Sequence, residues 1–415
     1  MKAPSTREMI RVFGRIGLLS FGGPAAQIAL MYRELVETRN WLSEDGFLRA
    51  LSLCMLLPGP EAMQLATYAG WRLRGTLGGL IAGVLFVGPG ALVVLLLAMG
   101  YALYGQLPLV QAAFEGVKAA VIIIVLQALL KVARKALNTR DAWGLAGAAF
   151  LALFALGLPF PLIIAAAGLY GAFLRQTTAP PDPAPMRANP NTPATLLIWG
   201  ALWVLPVLAL WLTDQTFLTQ IALFFSKLAV VTFGGAYAVL AYMTQTVVQD
   251  FGWITTQQMI DALGLAETTP GPLILVTEFV ALLAGFAEGG IPMALAAGAV
   301  ALWVTFIPCF LWIFLAGPYL DAISEKPRLA SALSAITACV VGVILNLAIW
   351  FALHVLFKQI TTAPWHAAPV PVLTSLNPEA LALTGLAAVL LLGFKRAMVE
   401  TLIIAALAGL VVSLM

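Results

Sequence analysis

The sequence predicts an all-α, polytopic membrane protein of two homologous halves, related as an inverted-topology repeat with helices interrupted, or folded as re-entrant hairpins, at Phe-Gly-Gly and Pro-Gly-Pro motifs. Three observations carry that prediction. With 61% hydrophobic and 10% charged residues, the chain departs from soluble domains, where about a quarter of residues are charged. The stretch Arg15 to Pro60 recurs without a gap 212 positions later as Lys227 to Pro272, with 14 of 46 positions identical; such a repeat governs how the rest is read. Residues 1–75 carry nine Lys and Arg, whereas 214–289 carry one, Lys227. Because cytoplasmic loops collect these cations, equivalent elements face opposite sides.

Taken in order, residues 7–20 and 25–38 are two short, partly polar helical patterns. Gly22-Gly23-Pro24 separates them, lacking the side chains or the amide that an uninterrupted helix requires. A second pair, 46–57 and 61–73, flanks Pro58-Gly59-Pro60. Apolar runs long enough to span a bilayer, which takes roughly 17 to 25 residues, follow at 76–104 and 108–133. Two shorter runs, 142–157 and 160–174, close the N-terminal repeat, residues 1–175. Lys2, Arg7, Arg11 and Arg15 lie at the start with no short apolar core and cleavage site after them, so no removable signal peptide is expected.

Residues 176–194 are rich in Pro, Ala and Thr without an apolar period, and read as an extended, disordered cytoplasmic linker. The remainder, 195–415, comprises an extra inverting helix at 195–213 and the C-terminal repeat. Its broken pairs are 217–249 and 257–286, its long runs 290–316 and 330–357, and its short ones 379–393 and 397–414. After Pro272 the register slips by seven, so that Gly116 to Val121 meets Ala335 to Val340. Two topologies satisfy the charge distribution. Broken pairs that cross give 13 spans; broken pairs that re-enter give nine spans and four hairpins, which keeps Arg33, Arg39 and Arg49 inside.

Inverted repeats with interrupted helices are a transporter architecture, with substrate held near the midplane where broken helices expose backbone groups. A half-helix starting after Gly22-Gly23 or Gly234-Gly235 presents unpaired N–H groups and a positive dipole end, which attract anions. Ser20 and Thr232 stand beside the two breaks, where a hydroxyl can cap a helix or bind a ligand, and are substrate-site candidates. Arg15 and Lys227, each five residues before its Phe-Gly-Gly, form a pseudo-symmetric cation pair suited to a doubly charged oxyanion. Lys118 is a third cation, in the apolar run GVKAAVIIIV, with Glu115 as an alternative structural partner. The hairpin tips are Pro58, Gly59 and Pro60, and Pro270, Gly271 and Pro272. Glu61 and Glu267 beside them are candidates for coupling transport to protons, with Glu278 a further acid in apolar surroundings. Gln64, Thr67, Thr268 and Thr269 offer neutral hydrogen bonds. Each has a plain alternative: glycines that let helices pack closely, Arg15 as a positive-inside residue, carboxylates that pair with nearby cations.

Hydrolase and metalloenzyme chemistry find no support. His354 and His366 are the only histidines, neither in a metal-ligand spacing, and no nucleophile motif stands in a suitable context. Cys54, Cys309 and Cys339 read as small core residues. No catalytic residue, metal or cofactor is therefore expected. A passive anion channel remains the rival class.

At these residues a family resemblance enters. SFGGPAAQIALM, LLPGPEAMQLATYAGW, TFGGAYAVLAYM, GLAETTPGPLILV and WVTFIPCFLWIFLAGPYL resemble the long, two-domain chromate ion transporters, over nearly the whole chain except the linker. The resemblance implies export of chromate from the cytoplasm across the bacterial inner membrane, chromate resistance, and sulfate as structural analogue and competitor. It also implies two homologous halves of opposite orientation. Gln27 stands where many members have a histidine, Glu278 where a glutamine is expected, and Arg74 departs from a histidine-containing stretch. The partners expected are a chromate or sulfate-like oxyanion and the lipid bilayer, with no nucleic acid. A homodimer is compatible with the sequence.

Overall fold

The computed structural model describes residues 4–21, 23–174, 191–233, 236–320, 326–362 and 369–414. Gly22, Gly234, Gly235, His366 and linker residues 176–190 lie outside these. Almost every described element is helical. Helix α1 (Thr6–Leu19) starts where the Ser5 hydroxyl accepts from the amide of Glu8 and buries Met9, Val12, Phe13 and Ile16 along one face, the i, i+3, i+4, i+7 stripe of an amphipathic helix. Helix α2 (Gly23–Tyr32) runs on as a π-helical turn, Arg33–Thr38. Ser43 caps α3 (Glu44–Leu56) by accepting from Gly46.

Helix α4 (Glu61–Tyr104) contains 44 residues. Straight, it would measure about 66 Å, more than twice a hydrocarbon core of about 30 Å. It is not straight: Arg74 (φ −145°, ψ 33°) and Gly75 (φ 63°, ψ −158°) break it, a left-handed conformation that glycine adopts without a Cβ clash. The two arms fold back into a hairpin so close that a methyl group on Gly70 would overlap the Gly78 carbonyl, and one on Gly83 would press on the Thr67 hydroxyl. Sequence reading places the arms at 61–73 and 76–104, which is where the break divides them.

The chain continues through α5 (Pro108–Ala136), α6 (Arg140–Phe154), α7 (Phe160–Leu169) with a π-helical end at Tyr170–Leu174, and α8 (Thr192–Leu212). Then come α9 (Thr216–Val231), α10 (Ala236–Gln245) with its π-helical end Thr246–Asp250, and α11 (Thr256–Thr268). A 3₁₀ turn, Leu273–Leu275, leads into α12 (Val276–Ala316), which breaks at Gly289 and Gly290 (φ 68°, ψ −157°) as α4 does at Arg74 and Gly75. Helices α13 (Pro327–Leu356), α14 (Pro378–Ala388, π-helical to Gly393) and α15 (Met398–Ser413) complete it. Between α13 and α14 lies a short antiparallel pair, Ile360–Thr362 with Pro369–Pro371, which the sequence reading did not anticipate. The repeat extends to local backbone geometry. The π turns at 33–38 and 246–250 are equivalent in one register, those at 170–174 and 389–393 in the slipped one.

The helices gather into two compact units, and each draws on both halves of the sequence. The first holds Met1–Met99, Gln176–Ala236 and Thr269–Ala330; the second holds Gly100–Arg175, Tyr237–Thr268 and Ser331–Met415. In the first, α12 packs against α8 and α9, with Trp199 stacked on Phe310 at 5.6 Å. In the second, α5 is the central helix, covered by α11, α14 and α15.

Among the described residues, five helical stretches are long and apolar enough to cross a membrane: Glu61–Tyr104, Pro108–Ala136, Thr192–Leu212, Leu273–Tyr319 and Pro327–Leu356. Shorter apolar helices cover Phe160–Leu174, Thr216–Val231, Pro378–Gly393 and Met398–Ser413. Many of their large apolar side chains point outward, among them Leu92, Leu96, Leu197, Trp211 and Leu407. In α8 only Trp199 is buried; a helix apolar all round and exposed belongs against lipid.

Candidate functional site

Within the first unit the interrupted motifs meet. Helix α1 ends at Leu19 and α2 starts at Gly23 (φ 80°); α3 ends at Leu56 and α4 starts at Glu61. The backbone amide of Gly271, in the second Pro-Gly-Pro, donates to the carbonyl of Ser20 at 2.8 Å, and the amide of Gly59, in the first, donates to the carbonyl of Thr232 at 2.8 Å. Each tip of one half is thereby pinned to the other half's Phe-Gly-Gly. Gly59 (φ 121°) and Gly271 (φ 92°) both take conformations that exclude ordinary side chains.

Two buried glutamines brace these tips. Gln27 Nε2 donates to Gly271 O at 2.6 Å and to Ser20 O at 3.2 Å, while Gln64 Nε2 donates to Pro58 O at 2.7 Å. In both, the amide oxygen is buried and unmatched. Gln27 thus does structural work that a histidine at that position would do differently. The Ser20 hydroxyl donates to Ile16 O at 2.6 Å and the Thr232 hydroxyl to Leu228 O at 2.6 Å. Both hydroxyl protons are committed to the preceding helical turn, so toward a ligand these oxygens present lone pairs in this conformation.

Arg15 and Lys227 occupy repeat-equivalent positions on exposed faces of α1 and α9. The Arg15 side chain is 61% exposed, with Glu34 at 3.9 Å; Glu34 is itself buried and held by Arg39. Glu61 is half-buried at the start of α4 and Glu278 is buried in α12, its Oε2 without a hydrogen-bond partner. Thr67 is buried, and Thr268 bonds its own helix through Leu265 O at 2.7 Å.

Lys118 belongs to the second unit. Its side chain, 5% exposed, lies 2.7 Å from Glu115 and 3.9 Å from Asp261, whose other oxygen accepts from the Tyr101 hydroxyl at 2.6 Å. Sequence reading identified Glu115 as a partner and missed Asp261, which comes from a distant helix, and Tyr101, which bonds Asp261 across 160 positions of sequence. The clue available was an acid in the otherwise apolar face of α11. Glu267, in the same unit, accepts from the Tyr237 hydroxyl at 2.6 Å. Among the described residues no group of His, Cys, Asp and Glu could hold a metal ion.

Long apolar helices, two of them broken at equivalent points, with polar tips buried among them, define a multi-pass helical membrane protein. The chain belongs to the chromate transporter family, whose model matches residues 7–172 and 219–412. It is 33% identical over 346 residues to the chromate transport protein of Cupriavidus metallidurans, covering 81% of this chain and 80% of that one. To the chromate transport protein of Pseudomonas aeruginosa it is 34% identical over 354 residues, 81% of this chain and 79% of that one. A probable chromate transport protein of Synechococcus elongatus is 34% identical over 348 residues, 82% and 83% of the two chains. No solved structure matches the chain.

Proposed function

We propose that this protein exports chromate from the bacterial cytoplasm across the inner membrane by alternating access, and so confers chromate resistance. The observation that carries the reading is identity of 33–34% over about four fifths of the chain to proteins named for chromate transport. The inside-negative potential expels a dianion, by about 2.3 kcal/mol per charge per 100 mV. Antiport with a proton adds to that force, with Glu61 and Glu267 as candidates.

The domain reading is two transporter repeats, 1–175 and 195–415, of opposite orientation, joined by a cytoplasmic linker. Contacts in the first half support re-entrant helix pairs. Arg74, at the turn of α4, donates to Thr6 at the start of α1; Phe13 packs near Trp41 with ring centroids 6.5 Å apart; Arg15 faces Glu34. The chain on both sides of the first Phe-Gly-Gly thus returns to one region, and the turn of α4 beyond the first Pro-Gly-Pro reaches the start of α1. With 14 and 13 residues, α1 and α3 would each extend about 20 Å, short of a bilayer core.

The substrate site we infer lies beside the paired tips, with backbone amides of Gly22-Gly23 and Gly234-Gly235 as donors, Gly22, Gly234 and Gly235 being outside the described residues, and Arg15 and Lys227 supplying charge. Desolvating a dianion is costly enough that only several fixed donors and a cation offset it. Ser20 and Thr232 contribute positioning through the carbonyls that receive Gly271 and Gly59.

Uptake of labelled chromate into inside-out vesicles, with sulfate as competitor and the potential imposed and then collapsed, tests this. Saturable, protein-dependent uptake that weakens with the potential is expected. No uptake above empty vesicles, with inserted protein, would remove chromate and move attention to sulfate; linear uptake without saturation would favour a channel.

A further inference from the structure

Resting on the transport reading, we infer that Asp261 is a proton-carrying carboxylate, gated by Lys118, and that the Tyr101–Asp261–Lys118–Glu115 cluster couples proton movement to anion export. Asp261 and Lys118 are both buried, at 3% and 4% exposure, on helices α11 and α5 of one compact unit. Tyr101 saturates one side of the carboxyl group, donating to Oδ2 at 2.6 Å. The other oxygen, Oδ1, is buried with no hydrogen-bond donor. Its nearest cation, Lys118 Nζ, stands 3.9 Å away, too far for a hydrogen bond, because it is drawn to Glu115 at 2.7 Å.

A buried acceptor left empty is costly. Two groups of the cluster itself can satisfy this one: a proton on Oδ1, or the Lys118 ammonium advanced by about 1 Å into hydrogen-bond range. They exclude each other, since a protonated Oδ1 turns its hydrogen toward the approaching ammonium. The site is therefore two-state. In one state Lys118 rests on Glu115, at the observed 2.7 Å, and Oδ1 carries the proton. In the other the proton has left to water, Asp261 is a carboxylate, and Lys118 bridges to it. Lys118 stays an ammonium throughout, so one proton is gained and lost per cycle. Glu115 is 51% exposed, giving the lysine a resting partner at the edge of the cluster. Of the helices that pack on α11, α5 contributes Lys118 and Glu115; α15 contributes Glu400, which is engaged by Arg396 at 3.1 Å. Tyr101 comes from α4.

Purified protein in liposomes enclosing a pH dye separates coupling from carriage. Wild type should show chromate-driven proton flux, and chromate–chromate exchange besides. Asp261→Asn should lose the proton flux and keep exchange; Asp261→Glu should restore flux with a shifted pH profile; Lys118→Met should uncouple likewise. Undiminished proton flux in Asp261→Asn overturns the inference. An infrared titration without substrate decides independently: a protonated-carboxyl band present in wild type, absent in Asp261→Asn and displaced in Lys118→Met is expected, and identical spectra in wild type and Asp261→Asn overturn it. If wild type carries no chromate, the substrate reading fails while the infrared result still stands for or against Asp261.

Discussion

Gly271 and Ser20 are joined by a backbone hydrogen bond of 2.8 Å, and their repeat equivalents Gly59 and Thr232 by another of 2.8 Å. The pairing is reciprocal: each half supplies one amide and one carbonyl. A duplicated motif that meets its own duplicate in this way puts the same demand on both copies.

Alanine at either glycine should therefore destabilise. Gly59 and Gly271 sit at φ 121° and 92°; a methyl on Gly59 would stand 2.8 Å from Gln64 Nε2 and 3.0 Å from Cys309 Sγ, and one on Gly271 3.0 Å from Leu275. Strain of this kind costs about 1–3 kcal/mol. Thermal unfolding in detergent should show lower midpoints for Gly59→Ala and Gly271→Ala. Gly14→Ala, where nothing lies within 4 Å, should leave the midpoint unchanged or raise it.

Gln27→Leu removes the donor shared by Ser20 O and Gly271 O. A carbonyl deprived of a buried partner loses about 1–3 kcal/mol, here at the tip itself. Transport should fall while insertion persists, and protease sensitivity near residue 271 should rise. Equal proteolysis rates in variant and wild type would count against the bracing role.

Neutralising the exposed cations tests binding without disturbing the core. Arg15→Gln and Lys227→Gln should leave thermal stability within about 1 kcal/mol, because exposed charges contribute little to folding, yet raise KM for chromate. The double variant should lose more than either. Unchanged kinetics in both would exclude the pair from the site.

Gly116→Ala is the sharpest packing test. Its methyl would overlap the backbone carbonyl of Ala405, and α5 and α15 would have to separate. Small residues permit such approach between membrane helices, and overpacking costs about 1–3 kcal/mol. Reduced yield and a lowered midpoint are expected, against no loss for Gly88→Ala, where space is open.

Much of the helical layout was legible because its signals are local. Gly75 and Gly290, like the Pro-Gly-Pro tips, interrupt a period that composition makes obvious, so the helix limits fall within a few residues of the expected ones. Contacts between distant residues were not legible. Nothing in the spacing says that Gly59 reaches Thr232 or that Lys118 faces Asp261, since a one-dimensional pattern fixes which face is apolar but not which neighbour covers it. The Ser20 and Thr232 hydroxyls read as ligand donors from their position; in three dimensions the i−4 carbonyl is nearer and takes the proton. Arg15 and Lys227 were legible as a symmetric pair, but their exposure was not.

Both compact units take residues from both halves of the chain, and this has a consequence for synthesis. The Ser20 carbonyl leaves the ribosome about 250 residues ahead of its Gly271 partner, a delay of about 12–50 s at 5–20 residues per second. During that interval the first half stands in the membrane with its tips unmatched. Nascent chains caught before Gly271 should be the form that quality-control proteases remove. The second half, supplied as a separate polypeptide, should rescue them.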